Sequence, residues 1–145
     1  MTPMPDLHLY GSLAFNTDIG ELLNAPRIRL LEAIQHEGSL LRAARSLPLS
    51  YKAAWDAVES MNRLAGAPLV TRTVGGRNGG GTVLTEHGVR LVALYRAVDK
   101  ECQSAIDALL CHIREGGSEV GFRYRLHRQT LGECARAPQD RGRPC

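Results

Sequence analysis

Residues 39–65 read SLLRAARSLPLSYKAAWDAVESMNRLA. Two segments of this stretch carry apolar residues at helical spacing, and each starts at a serine suited to cap a helix, Ser39 and Ser50. Pro48 lies between the segments and ends the first one. Two helices joined by a turn of a few residues make a helix-turn-helix, so this stretch decides the predicted fold.

Another helix is expected immediately before the motif. Asn24 is a suitable N-cap, Pro26 fits a first helical turn, and Gly38 marks the end. The apolar stripe of this helix is Ile28, Leu31 and Ile34. Together the three helices form the body of a small helical domain.

After the third helix the pattern changes to short strands. Leu69–Val74 is rich in β-branched residues, and Thr82–Leu84 is a second short strand. The segment 75–81 between them is almost all glycine, which predicts a wing. A nucleotide-binding glycine loop is the alternative, but the segment lacks a GK[ST] ending and joins strand to strand.

The N-terminal residues 1–24 predict a small hairpin. Alternating apolar segments occur at Leu7–Tyr10 and Leu13–Phe15, and residues 16–20 have the composition of a turn.

The last helix, capped by Thr85, is long for a domain of this size. Apolar residues recur along it at alternating spacings of four and three, which suits pairing with a second helix. We therefore expect a homodimer, with a helix packed on its own domain as the alternative. The expected dimerisation residues are Leu91, Tyr95, Val98, Cys102, Ala105 and Leu109.

These patterns predict a mainly α fold with a small β wing, a winged helix-turn-helix followed by a long C-terminal dimerisation helix. The expected domains are the hairpin segment 1–24, the winged helix-turn-helix 25–84, the dimerisation helix 85–115 and a mobile Arg-rich tail 116–145.

Basic residues are concentrated in the middle of the chain. The net charge is only +3, but residues 39–82 contain six Lys or Arg against two acidic residues. The start of the second helix of such a motif enters the DNA major groove, and a glycine-rich wing can approach phosphates or the minor groove. The candidate DNA-binding residues are Ser39, Arg42, Ser50, Tyr51, Lys52, Arg72, Arg77 and Asn78.

Two of the residues in this region also have a purely structural interpretation. Lys52 and Asp56 are four apart and could pair on the helix surface instead of meeting DNA. Trp55, the single tryptophan, lies beside the apolar stripe and is expected to anchor the core.

The sequence offers no catalytic set and no metal site. Its four cysteines match no CxxC pattern, and its five histidines are scattered. No apolar run is long enough to span a bilayer. We expect a cytoplasmic protein that is not an enzyme and does not bind a membrane.

The motifs also resemble a known family. Residues 50–56 (SYKAAWD), Met61-Asn62, residues 68–70 (PLV) and residues 75–81 (GGRNGGG) are similar to the N-terminal domain of molybdate-responsive ModE-type regulators. The resemblance covers about residues 7–113. It implies a LysR-like winged helix-turn-helix that dimerises through its terminal helices and binds double-stranded DNA at a two-fold symmetric operator.

In that family the DNA-binding part is commonly followed by a molybdate-binding region of small β-barrel domains. The residues after Ile113 show no strand series of that kind. We expect no cofactor and no molybdate bound by this polypeptide, with a separate oxyanion sensor as a possible partner. The alternative function is a winged-helix protein-interaction module without specific DNA binding.

Overall fold

The computed structural model describes residues 8–75 and 80–114. They form four helices and two antiparallel two-stranded sheets, which confirms the mainly α fold with a small wing. In chain order the elements are β1 (Phe15–Thr17), β2 (Gly20–Leu23), α1 (Ala25–Glu37), α2 (Leu40–Ser46), α3 (Tyr51–Leu64), β3 (Val70–Arg72), β4 (Thr82–Leu84) and α4 (Glu86–Arg114).

The chain divides into two compact units. Gly11–Cys102 form one of them, and it contains the hairpin, the helix-turn-helix, the wing and the first part of α4. The described residues of the other unit are 8–10 and 103–114. The candidate DNA-binding residues that the structure describes all lie in the first unit.

The N-terminal hairpin exists, but its strands lie later in the chain than predicted. Residues 8–14 are not strand, and β1 pairs with β2 around a two-residue turn at Asp18-Ile19. The pairing is irregular between Phe15 and Asn16, and both Leu22 and Leu23 are buried. The strands form where these two leucines reach the core, which the polar sequence before them did not reveal.

The three central helices begin at the capping residues expected from the sequence. The side chains of Asn24, Ser39 and Ser50 accept hydrogen bonds from backbone N–H groups in the first turns of α1, α2 and α3. Gly38 ends α1 with a left-handed φ of 65°, a conformation that glycine adopts without steric cost. Local capping therefore fixes where each of the three helices begins and where α1 ends.

The apolar faces of these helices meet in one core. The predicted stripe of α1 is fully buried, and α2 and α3 each contribute buried residues to the same core. Members of the core from α1 to α3 are Ile28, Leu30, Leu31, Ile34, Leu40, Ala43, Ala44, Ala54, Val58 and Met61.

The first part of α4 closes this core. Tyr95 is 1% exposed, its ring lies 5.3 Å from that of Phe15, and its hydroxyl donates to the Leu13 carbonyl at 2.8 Å. Burial raises the pKa of Tyr95. On the outside, Arg96 donates two 2.6 Å hydrogen bonds to the Glu32 carboxylate, and the pKa of Glu32 is lowered by them. Together these contacts attach α4 to β1 and α1.

Asn62, near the end of α3, holds the start of the wing. Its Oδ1 accepts hydrogen bonds from the backbone N–H groups of Leu69 and Val70 at 2.8 and 3.1 Å, and its Nδ2 donates to the Val70 carbonyl at 3.0 Å. One side chain thus satisfies three backbone groups of the neighbouring strand. The direction in which β3 leaves the helical body depends on this residue.

The start of α4 approaches β3 closely. Thr85 Oγ1 donates to the Pro68 carbonyl at 2.7 Å and accepts from Gly88 N–H at 3.0 Å. A Cβ on Gly88 would lie 2.3 Å from the Leu69 carbonyl oxygen, so this position admits no side chain without a shift of backbone. The same short segment, 68–70, is therefore fixed from α3 and from α4.

We expect Asn62→Ala to lower the free energy of unfolding by about 2–3 kcal/mol, because it leaves partly buried backbone groups without partners. Asn16→Ala is the matched control, because Asn16 is exposed in β1. It should change the free energy of unfolding by less than about 0.5 kcal/mol. Urea denaturation of both variants measures the difference, and equal midpoints would contradict the assigned role of Asn62.

Candidate nucleic-acid interface

A groove lies between the first turns of α2 and α3 and the wing. We call it the α3–wing groove. Three of the residues predicted to bind DNA line it, namely Ser39, Tyr51 and Arg72. The rest of its lining is Leu40, Leu41, Thr73, Val74, Gly75, Gly80, Gly81 and Thr82. The structure thus brings together residues from three elements that are separate in sequence.

The two serines of the predicted set act as helix caps. Ser39 Oγ accepts from Arg42 N–H at 3.3 Å, and Ser50 Oγ accepts from Ala53 N–H at 3.1 Å. A serine hydroxyl has one proton and two lone pairs, so each cap leaves its proton to donate elsewhere. Both residues can therefore cap a helix and still donate to a phosphate oxygen.

Lys52 forms the ion pair that was the alternative to a DNA contact. Its Nζ lies 2.7 Å from Asp56 Oδ2, and the hydrogen bond to Asp56 raises the pKa of Lys52. Both side chains are largely exposed, at 83% and 55%. A pair of this kind is weak in water, so Asp56 competes for the lysine without excluding a phosphate.

Arg42, at the start of α2, is also paired. Its guanidinium donates to the Glu37 carbonyl and lies 3.7 Å from the Glu37 carboxylate. It is exposed, so it remains accessible to solvent and to a ligand.

Arg72 is held in a different way. Its guanidinium lies over the ring of Trp55, 4.2 Å from the ring centroid, and donates to the Tyr51 hydroxyl at 3.4 Å. Within residues 8–75 and 80–114, no carboxylate lies within 4.0 Å of this guanidinium. Arg72 is therefore positioned by aromatic groups and keeps its full charge.

Trp55 contacts both the hydrophobic core and Arg72. It is half-buried and packs against the core, as its place beside the apolar stripe predicted. Its ring also carries Arg72, which the sequence did not indicate because the two residues are 17 positions apart and in different elements.

The base of the wing is closed by a residue that the sequence did not single out. Thr73 N–H donates to the Gly81 carbonyl at 2.9 Å, and Gly81 N–H donates to Thr73 Oγ1 at 2.8 Å. Thr82 N–H then donates to the Gly38 carbonyl at 3.0 Å. These bonds attach the wing to the end of α1. A threonine in a β-branched run gives no sequence signal of such a role.

The predicted wing-tip residues Arg77 and Asn78 lie outside the described residues. Their assignment to DNA binding stays a prediction.

The six residues of the predicted dimer stripe differ in exposure. Tyr95 is buried in the core of its own unit, and Leu91 is half-buried and packs against that core. These two residues therefore have a role within the chain. Farther along α4, Cys102 is exposed, while Val98, Ala105 and Leu109 are half-buried.

The described part of the chain contains neither a metal-binding cluster nor a membrane-spanning helix. No group of three or more His, Cys, Asp and Glu side chains that could hold a metal ion occurs there. None of the helices in residues 8–75 and 80–114 combines the length and apolarity needed to cross a bilayer.

Comparison with known proteins gives a match to the helix-turn-helix region. Residues 26–89 match the family model described as bacterial regulatory helix-turn-helix protein, lysR family. They contain α1 without its first residue, then α2, α3, β3, β4 and the first residues of α4.

Curated relatives agree with the motif resemblance. The molybdenum transport protein ModE of Azotobacter vinelandii is 52% identical over 126 residues, 86% of this chain and 47% of the relative. The DNA-binding transcriptional dual regulator ModE of Escherichia coli K12 is 46% identical over 83 residues, 57% of this chain and 32% of the relative. The chain thus spans about half the length of the first relative and a third of the second. The similarity to ModE-type regulators is confirmed for the N-terminal region of those proteins.

A solved structure, MepR of S. aureus in complex with DNA, is a more distant match, with 13% identity and a TM-score of 0.45 over 80% of this chain and 79% of that chain.

Proposed function

We propose that this protein is a sequence-specific DNA-binding transcriptional regulator linked to molybdenum metabolism or transport, because residues 26–89 match the lysR-family model of bacterial regulatory helix-turn-helix proteins and the relatives that cover this region are ModE proteins. It is not an enzyme. In this proposal the first turn of α3 enters the major groove, and the wing contacts the adjacent backbone.

The observation that carries the proposal is the α3–wing groove. Ser39, Tyr51 and Arg72 converge there from α2, α3 and β3, with the cation Arg72 free of any carboxylate partner in the described residues. Hydroxyl and guanidinium donors are the groups that proteins use for DNA phosphates and base edges. Lys52 lies beside Tyr51 in the same first turn.

The partners and the location are part of the proposal. The protein acts as a homodimer on a two-fold symmetric operator in the cytoplasm, with the last part of α4 contributing Val98, Cys102, Ala105 and Leu109 to the pairing. The spacing of these residues supports it, because it keeps an apolar stripe on one side of a helix. The molybdenum link rests on the names of the relatives that cover this region.

The signal is proposed to come from outside the described residues. We propose that residues 8–75 and 80–114 bind no molybdate, because the elements that they form are four helices and two two-stranded sheets and not a barrel. A separate oxyanion sensor could then act on this regulator.

Selection from a random pool of duplexes, with and without molybdate, tests the proposal directly. We expect enrichment of a sequence with two-fold symmetry, bound at least about a thousandfold more tightly than unrelated duplex. Lys52→Ala should weaken that binding and leave the oligomeric state unchanged. Lys100→Ala is the matched control, because Lys100 is the other lysine of the chain and lies exposed on α4.

Titrations at several salt concentrations separate this function from a protein-interaction module. A regulator loses affinity steeply with salt, and Arg77→Ala should reduce the logarithmic slope by about 0.9 if Arg77 contacts one phosphate. Failure to enrich any duplex, together with salt-independent and equally weak binding to all duplexes, would contradict the proposal.

The ion pair between Lys52 and Asp56 leads us to a further prediction about DNA affinity. Asp56→Asn should tighten binding to the selected duplex by roughly two- to fivefold, because it frees Lys52 and removes a repelling carboxylate. Glu59→Gln removes the same charge from the same helix face, but Lys52 is hydrogen-bonded to Asp56 and not to Glu59. Fluorescence anisotropy compares the two variants, and an equal gain for both would show that Lys52 is not the residue released.

A further inference from the structure

We propose that Trp55 and Tyr51 form an aromatic clamp that holds the Arg72 guanidinium ready for one DNA phosphate beside the first turn of α3. This inference rests on the proposed DNA-binding function and adds positioning residues to it. In it Trp55 contacts no DNA and acts only through Arg72.

The geometry of the clamp has two parts. The Trp55 ring lies beneath the guanidinium, 4.2 Å from ring centroid to Cζ, and the Tyr51 hydroxyl accepts one N–H at 3.4 Å. The face of an aromatic ring attracts a cation without neutralising it. A guanidinium has five N–H donors, so this arrangement leaves most of them for an anion.

The neighbouring cations of the predicted set are held by carboxylates. Lys52 is paired with Asp56 at 2.7 Å, and Arg42 lies 3.7 Å from the Glu37 carboxylate. A phosphate would compete with that carboxylate for each of these two cations. Arg72 has no carboxylate partner among the described residues, since the two aromatic side chains that hold it carry no negative charge.

The position of the clamp also suits a phosphate contact. Tyr51 is the first residue of α3 and Trp55 lies one turn later, so Arg72 is held alongside the part of α3 that is proposed to enter the major groove. Arg72 is at the end of β3, and β3 is attached to α3 by Asn62. Backbone and side chain are therefore both fixed before any ligand arrives.

Pre-positioning matters because an arginine side chain loses much rotamer freedom when it binds. Ordering one flexible side chain at an interface reduces affinity by several-fold. The clamp removes most of that loss by ordering Arg72 in the free protein. Loss of the clamp should therefore lower affinity without removing the charge that meets the phosphate.

A variant series measured on the selected duplex tests this distinction. Arg72→Ala should weaken binding by about tenfold or more and reduce the salt slope by about 0.9, because a phosphate contact is lost. Trp55→Leu should weaken binding by roughly three- to tenfold with the salt slope unchanged, because Arg72 still reaches the phosphate. Trp55→Phe keeps an aromatic face and should restore most of the affinity.

The double variant Trp55→Leu/Arg72→Ala should bind no more weakly than Arg72→Ala alone, because the clamp has no other ligand to act on. Arg90→Ala, which removes an exposed arginine from α4, is the control for charge and should leave affinity nearly unchanged. Thermal unfolding of each variant checks that the domain remains folded at the temperature of the titration.

A second measurement needs no DNA. Trp55 is the only tryptophan, so the intrinsic fluorescence of the chain reports the environment of this ring alone. Arg72→Ala should change its emission in the free protein. Arg63→Ala should not change it, although Arg63 and Trp55 line the same cleft beside α3.

These outcomes separate the clamp from the function on which it rests. Specific binding by the unaltered protein, with Trp55→Leu binding as tightly or with losses that add in the double variant, would overturn the clamp and leave the function intact. Unchanged fluorescence in Arg72→Ala would also overturn it. If no duplex is bound specifically by the unaltered protein, the proposed function fails, and the role of the clamp in DNA binding fails with it.

Discussion

The arrangement of the proposed DNA-binding surface depends on the hydrogen bonds of one side chain, the amide of Asn62. It joins the end of α3 to residues 69 and 70, and so fixes where β3 leaves the helical body. Arg72 is two residues farther along β3, which places its guanidinium on Trp55 and Tyr51 of α3. The start of α4 is fixed at the same segment through Thr85 and Gly88. A local polar contact thus determines the positions of the wing, of one cation and of the last helix.

The cations at this surface are not equivalent, and their partners explain the difference. Lys52 and Arg42 have nearby carboxylates, whereas Arg72 lies on an aromatic ring. A carboxylate beside a cation cancels part of the electric field of that cation at short range. A basic surface with paired cations therefore attracts anions less strongly and less indiscriminately. A cation on an aromatic ring keeps its field and its orientation. We infer that such a surface combines one phosphate contact that is fixed in advance with others in which DNA competes with a weak internal partner.

The helices could be predicted from the sequence because hydrogen bonds between neighbouring residues determine where they begin. Asn24, Ser39, Ser50 and Gly38 cap neighbouring backbone groups, and the apolar spacing of α1 to α3 reports burial directly. The turn of the N-terminal hairpin lies inside the predicted turn at residues 16–20, but the strands were misplaced: residues 8–14 are not strand, and the second strand is Gly20–Leu23, whose Leu22 and Leu23 are buried. Three contacts could not be predicted, because neither composition nor spacing reveals a contact between residues that are distant in sequence. They are the hydrogen bonds of Asn62 to β3, the hydrogen bonds of Thr73 across the wing, and the contact of Arg72 with Trp55. Tyr95 fitted the predicted dimer stripe of α4 by spacing alone, yet its side chain lies in the core of its own unit, because helical spacing marks an apolar face without showing what covers it.

The central claim is that the first turn of α3 and the neighbouring wing form the surface that meets DNA. Backbone amide chemical shifts of the isotope-labelled protein, recorded with and without the selected duplex, locate the surface most directly. We expect the largest shift changes at Ser39, Tyr51, Lys52 and Arg72, with small changes around Glu32 and Arg96, which pair on another part of the domain. Changes concentrated around Glu32 and Arg96, with the α3–wing groove unaffected, would contradict it.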